Sequence, residues 1–270
     1  FCLSRGLGDV YKRQLVTGLE LFSHEGRAGL ALALVAAATA TGMLAIRHMN
    51  RSLAPLLDLK VLQVRTFALS ALSSGILTRS AINATPFLLP LLLQIGFGLD
   101  AIATGSLILV YFLGNLAMKA ATTGFLRLLG FRTLLVFNGV LASALVACLG
   151  LIGPDTGNTL LWPVLFAAGL TRSMQFTALN TIAFADIEAR QRGDAATISA
   201  ISQQISQLLS IAGSIAVIRL IHAFDLVGPD REAAAFALAL MVMGAIGIAS
   251  SLAFLRLPAD AGHEVSGRRA

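Results

Sequence analysis

The 270-residue chain is 56% hydrophobic and 13% charged, with mean hydropathy +0.81 and formal net charge +6. Soluble domains carry about 25% charged residues, so a water-soluble helical protein with polar outer faces is excluded. The basic residues sit mostly in short loops between apolar runs, without interleaved aromatics, so they set membrane topology and do not indicate nucleic acid.

The chain opens FCLSRGLGDVYKRQ, residues 1–14, which is polar, basic and interrupted by glycine. It starts on Phe1 rather than Met, and its ending resembles translated adapter-like sequence. We read it as foreign to the gene, a genuine extramembrane loop being the alternative. Seven apolar runs follow, at 27–47, 66–95, 101–122, 132–153, 160–185, 195–222 and 232–255. Each is long enough for a bilayer core of about 30 Å, which takes about 20 helical residues. The fold expected is an all-α integral membrane protein with about seven transmembrane helices.

Loop charge alternates. The first connection holds Arg47, Arg51, Lys60 and Arg65; GFGLD has no basic residue; Arg127 and Arg132 come next. IGPDTGNT again has none, Arg190 and Arg192 follow, and a mixed loop precedes a tail with Arg256, Arg268 and Arg269. Lysine and arginine concentrate on the cytoplasmic side, which predicts an outside start and a cytoplasmic C-terminus in the cell (inner) membrane. HMNRSLAPLLDLKVLQVR, whose LDLKVLQV part suits a surface-lying helix, separates one leading helix from a bundle of six. The expected units are 15–65 (the end of an outside loop, one linker helix and a cytoplasmic connection), a six-helix lobe over 66–256, and a tail over 257–270. Six helices suggest a three-plus-three repeat of the kind transporters use.

Ionisable groups at bilayer depth are costly and mark function by default. Arg79, in SGILTRSAINATPF, and Arg172, in AAGLTRSMQFTALN, both fall in the middle of their runs, where no Asp or Glu stands. Two readings stay open for each arginine. It faces a polar cavity and an anionic group, or it pins carbonyls of a broken helix. Pro86 and Pro90 follow Arg79 on the same helix and allow a kink, either as a gate or as ordinary packing. In ISAISQQISQLLSIAGS, Ser199, Ser202, Gln203, Ser206, Gln207 and Ser210 share one helical face. We assign its serines to close packing and its glutamines to a cavity. Asn83, Asn115, Gln175 and Asn180 complete the candidate pathway set.

Catalytic signatures are lacking. The four histidines fall at run ends or in the tail, and no HExxH, GxSxG, Walker lysine or intramembrane carboxylate pair occurs. Cys148 stands alone in an apolar run, without a metal-binding or disulfide pattern. No catalytic residue, metal site or cofactor is expected.

APLLDLKVLQVRTFALS, with the following PFLLPLLLQIGFGLDAIATGSL, resembles the major facilitator superfamily, in particular its fourteen-span drug:proton antiporters. GFLRLLGFRTLL is similar to a degenerate copy of that family's loop signature: Gly130 and Arg132 match it, while Thr123 replaces its glycine and Arg127 its acid. LTRSMQFTALNTIAFADI and the SxxQQxSQxLS helix resemble a bacterial subgroup of multidrug exporters. The resemblance implies that the runs are a central linker helix plus the C-terminal lobe of a transporter. It also implies alternating access, protons as coupling ion, a small amphipathic substrate, Gly130 and Arg132 as a gating loop, and a missing N-terminal lobe carrying the proton-handling acids. Alternatives are transport of an anionic metabolite and a transport-dead scaffold or sensor. The lipid bilayer is a partner in every case.

Overall fold

The computed structural model describes residues 59–228, 232–258 and 261–262. The chain divides into two compact units, Phe1–Lys60 and Val61–Ala270, and the described residues lie in the second except for Leu59 and Lys60. The first apolar run, 27–47, and the segment 1–14 fall outside the described residues.

Among the described residues of the second unit there are six long helices. They are α1 (Arg65–Gly96), α2 (Ala101–Leu129), α3 (Phe131–Leu149), α4 (Asn158–Ala183), α5 (Arg192–Ala223) and α6 (Glu232–Leu252). Among the described residues all six apolar runs therefore form helices, and no strand occurs. Five helices are long and apolar enough to cross a membrane by length and composition; α4 is not counted among them. Its 26 residues include Thr171, Arg172, Ser173, Gln175, Thr177, Asn180 and Thr181 in one half, and these side chains dilute its hydropathy.

The packing follows a three-plus-three plan. α2 lies against α4 as α5 lies against α1; α3 lies against α4 as α6 lies against α1; α3 and α6 pack on each other. Exchanging α1, α2, α3 with α4, α5, α6 maps this contact pattern onto itself, as two related three-helix units require.

Lipid gives no hydrophobic drive for helices to associate, so close backbone approach and interhelical hydrogen bonds must hold them. Glycine supplies the approach. A Cβ at Gly114 of α2 would collide with the Phe166 carbonyl of α4, and one at Gly169 of α4 with the Tyr111 carbonyl of α2. Gly244 and Gly247 of α6 pack in the same way on Ser143 and Ala147 of α3.

Two apolar clusters fill the ends of the bundle. One joins Leu88, Leu92, Tyr111, Leu149, Leu165 and Leu240, and the other Met118, Phe131, Leu135, Leu179, Ile182 and Phe254. Between them lies a buried polar layer that includes Thr78, Arg79, Asn83, Asn138, Gln175 and Ser206 at middle positions of their helices, with Ser250 near the end of α6 reaching Thr78.

The glycine contacts carry a prediction with a built-in contrast of sign. Gly114→Ala or Gly169→Ala overpacks the α2–α4 contact and lowers stability by about 1–3 kcal/mol. Gly105→Ala, on the same α2 with open space around it, is neutral or gains up to about 1 kcal/mol. Denaturant titration in detergent micelles measures all three, and equal effects would exclude the close approach.

Candidate functional site

The polar layer is centred on α1 and α4. α1 is not a regular helix: Ala68–Leu72 is wound as a π-helix, Ser73–Asn83 is α-helical, Ala84 interrupts it, and Leu92–Gly96 is π-helical again. Pro86 stands at the start of the segment after the interruption and Pro90 inside it. Neither can donate a backbone N–H, so the break at Ala84 coincides with the proline pair.

A π-segment leaves backbone carbonyls without a regular partner. Arg79 is fully buried and turns back along its own helix to one of them, its Nη1 donating to the Ser70 carbonyl at 2.7 Å. Its Nη2 donates to Asn180 Oδ1 on α4 at 3.0 Å. Gly75 lies beneath the guanidinium, where a Cβ would come within 3.0 Å of Nη1. The neighbouring Ala71 carbonyl accepts from Ser202 Oγ on α5. Arg79 thus occupies the pin geometry and also ties α1 to α4.

Arg172 is the counterpart on α4. Its Nη2 donates to Asn83 Oδ1 on α1 at 3.1 Å. Its guanidinium carbon lies 5.0 Å from the ring centre of Phe176 and 6.0 Å from that of Tyr111. Both distances are within the range over which a cation is attracted to an aromatic face. Unlike Arg79, Arg172 is only partly buried. Each arginine therefore donates to an asparagine on the other's helix.

The sequence carries one further signal of this pairing. LTRS occurs twice, at 77–80 and at 170–173, and each arginine is the fifteenth residue of its helix. The flanking threonines also follow the exchange of units. Thr78 Oγ1 lies 2.9 Å from Ser250 Oγ on α6, and the Thr171 carbonyl accepts from Asn138 Nδ2 on α3 at 2.9 Å.

The remaining candidates divide. Gln175 is fully buried against α3, accepting from Asn138 and donating to the Leu135 carbonyl at 3.1 Å. Asn138 itself was not singled out from the sequence. On α5, Ser199, Ser202, Ser206, Ser210 and Ser214 are buried, and the Ser206 carbonyl accepts from Ser80 on α1. Gln203 is partly buried with its amide 3.5 Å from Ser199 Oγ, and Gln207 is exposed. Asn115 is partly buried beside Gly114 on α2. Gly130 joins α2 to α3 as a single non-helical residue with φ 73° and ψ 163°, a conformation open essentially to glycine alone. The expected loop is therefore one residue long, and Arg132 lies in the first turn of α3, partly buried.

Residues 27–211 match the family profile described as Major Facilitator Superfamily. This chain belongs to the Major Facilitator Superfamily. It is a multi-pass membrane protein of a transport family, and the family points to transport rather than catalysis. It is 28% identical over 248 residues to a Serratia proteamaculans protein named for multidrug resistance (MdtD), covering 90% of this chain and 51% of that one. The Yersinia enterocolitica MdtD is 27% identical over 254 residues, with 90% and 53% covered. A Haemophilus influenzae protein named as a transport protein (HsrA) is 30% identical over 171 residues, with 63% and 36% covered. The chain thus spans about half the length of these two MdtD relatives.

The contrast between the arginines is testable. Arg79→Met leaves the Ser70 carbonyl and Asn180 unpaired in a buried layer and costs on the order of 3 kcal/mol. Arg79→Lys restores little, because a single ammonium lacks the fork that reaches both. Arg172→Gln, at a partly buried site where the guanidinium donates to Asn83, costs about 1 kcal/mol. Thermal unfolding of the purified variants in detergent measures the difference; equal losses would contradict these assignments.

Proposed function

We propose that this chain is the second six-helix lobe, preceded by a linker helix, of a proton-coupled facilitator that exports small amphipathic molecules by alternating access. The observation that carries the reading is Arg172 on α4: partly buried at mid-bundle, flanked by Phe176 and Tyr111 and tied to Asn83. A flat cation between aromatic faces suits amphipathic ligands with an acceptor group. We assign Arg172, Asn83, Asn115, Gln203 and Gln207 to the translocation pathway, and Arg79, Asn180 and Gln175 to the framework that holds it. Gly130 and Arg132 form the gating turn, and Pro86 and Pro90 shape the α1 bend.

Support for an absent partner lobe is chemical. Among the described residues no Asp or Glu lies in the middle of a helix, which supports placing the protonatable acid elsewhere in the full protein. The names of the MdtD relatives support drug-like cargo. The alternation of basic loops supports a cytoplasmic C-terminus in a bacterial inner membrane.

A second reading, transport of an anionic metabolite, is favoured by the same Arg172, which has no acidic partner among the described residues. Proton-driven uptake into everted vesicles separates the two with the full-length transporter. On the first reading a cationic amphipathic dye is carried, and Arg172→Ala lowers its transport about tenfold. On the second, only anionic substrates lose transport in that variant. The chain 1–270 alone, in proteoliposomes, shows no proton-coupled efflux; efflux from it would overturn the assignment to one lobe.

A further inference from the structure

A groove of about 440 Å³ runs along the outer surface of α3, lined by Arg132, Thr133, Val136, Phe137, Val140 and Leu255. Arg132, Val136 and Val140 recur every four residues, so the groove follows the helix axis for about 12 Å at 1.5 Å per residue. Its wall is apolar and lies at the surface: Phe137 is 66% and Leu255 51% exposed. Its one charged lining residue stands at its end, in the first turn of α3.

Among the described residues that end of the bundle holds Arg65, Arg132, Arg190, Arg192 and Arg256 against Asp186, Glu188 and Asp194, a basic excess. Arg65 donates to the Arg256 carbonyl at 2.8 Å, which brings the start of α1 to the residue after Leu255. Arg132 makes no hydrogen bond or ion pair among the described residues. A partly buried guanidinium above a strip of hydrocarbon is complementary to a molecule with a phosphate at one end and an alkyl chain running along the membrane normal.

We propose that this groove is a binding site for an anionic phospholipid, with one acyl chain along Val136, Phe137 and Val140 and the headgroup phosphate on Arg132. The forked guanidinium engages two phosphate oxygens, as a single ammonium cannot. The site lies on the outer face of α3 and shares Arg132 with the gating turn proposed above, but its test reads lipid labelling and not transport. A second protein helix in the groove would have to bring its own acid for Arg132, so self-association is an outcome the experiment must distinguish.

The test uses the purified 270-residue chain in nanodiscs containing a phosphatidylglycerol with a photoactivatable acyl chain. Label is expected on the α3 peptide containing Thr133–Val140 and around Leu255. Unlabelled phosphatidylglycerol should displace it about fivefold more effectively than phosphatidylcholine, the preference expected of one arginine at a membrane surface; free inorganic phosphate should not displace it. Arg132→Gln should abolish the preference without lowering helicity by circular dichroism, and Arg132→Lys should keep part of it. Equal displacement by the two lipids in the unaltered chain, labelling confined to other helices, or α3–α3 crosslinks in place of lipid labelling would each overturn the proposal.

Discussion

Within hydrocarbon, backbone polar groups must find their partners inside the protein, and that requirement governs how these helices assemble. The polar layer midway along α1, α3 and α4 is where it acts most strongly. Apolar clusters close the layer on both sides, so its hydrogen bonds form away from water and gain strength from the low dielectric. Arg79 shows the coupling between local and tertiary structure. A π-wound segment of α1 exposes the Ser70 carbonyl, Gly75 clears a path, and the arginine returns to that carbonyl while also holding Asn180 on α4.

The same constraint accounts for the residue types at the helix contacts. Serine and glycine occur where backbones approach: Ser202 and Ser206 against α1, Gly114 and Gly169 between α2 and α4, and Gly244 and Gly247 against α3. Larger aliphatic side chains stand at the bundle ends or face outward, where lipid solvates them at no cost. The two three-helix units are thus joined mainly by small residues and by reciprocal arginine–asparagine bonds between α1 and α4.

The helical pattern was legible because each apolar run exceeds the bilayer thickness and the loops are short. Helix ends were less so. α2 continues through Leu129, past the expected end at 122, because Leu126 packs into the apolar cluster and Gly130 makes the turn alone. For Arg79 the sequence left cavity and pin open, since hydropathy does not reveal that a helix is π-wound nine residues upstream. Gln175 and Gln203 are the same residue type in similar surroundings. Only the packing shows that one is consumed by α3 while the other is left partly exposed. The LTRS repeat was visible in the letters, but its meaning depended on seeing that α1 and α4 exchange places in the contact pattern.

Arg79 and Asn180, hydrogen-bonded at 3.0 Å, form one energetic unit across the α1–α4 crossing. A double-mutant cycle with Arg79→Met and Asn180→Leu, followed by denaturant unfolding in detergent, measures that coupling directly. The expected interaction energy is about 1 kcal/mol or more, with the double variant little worse than Arg79→Met alone. Strict additivity of the two losses would contradict it.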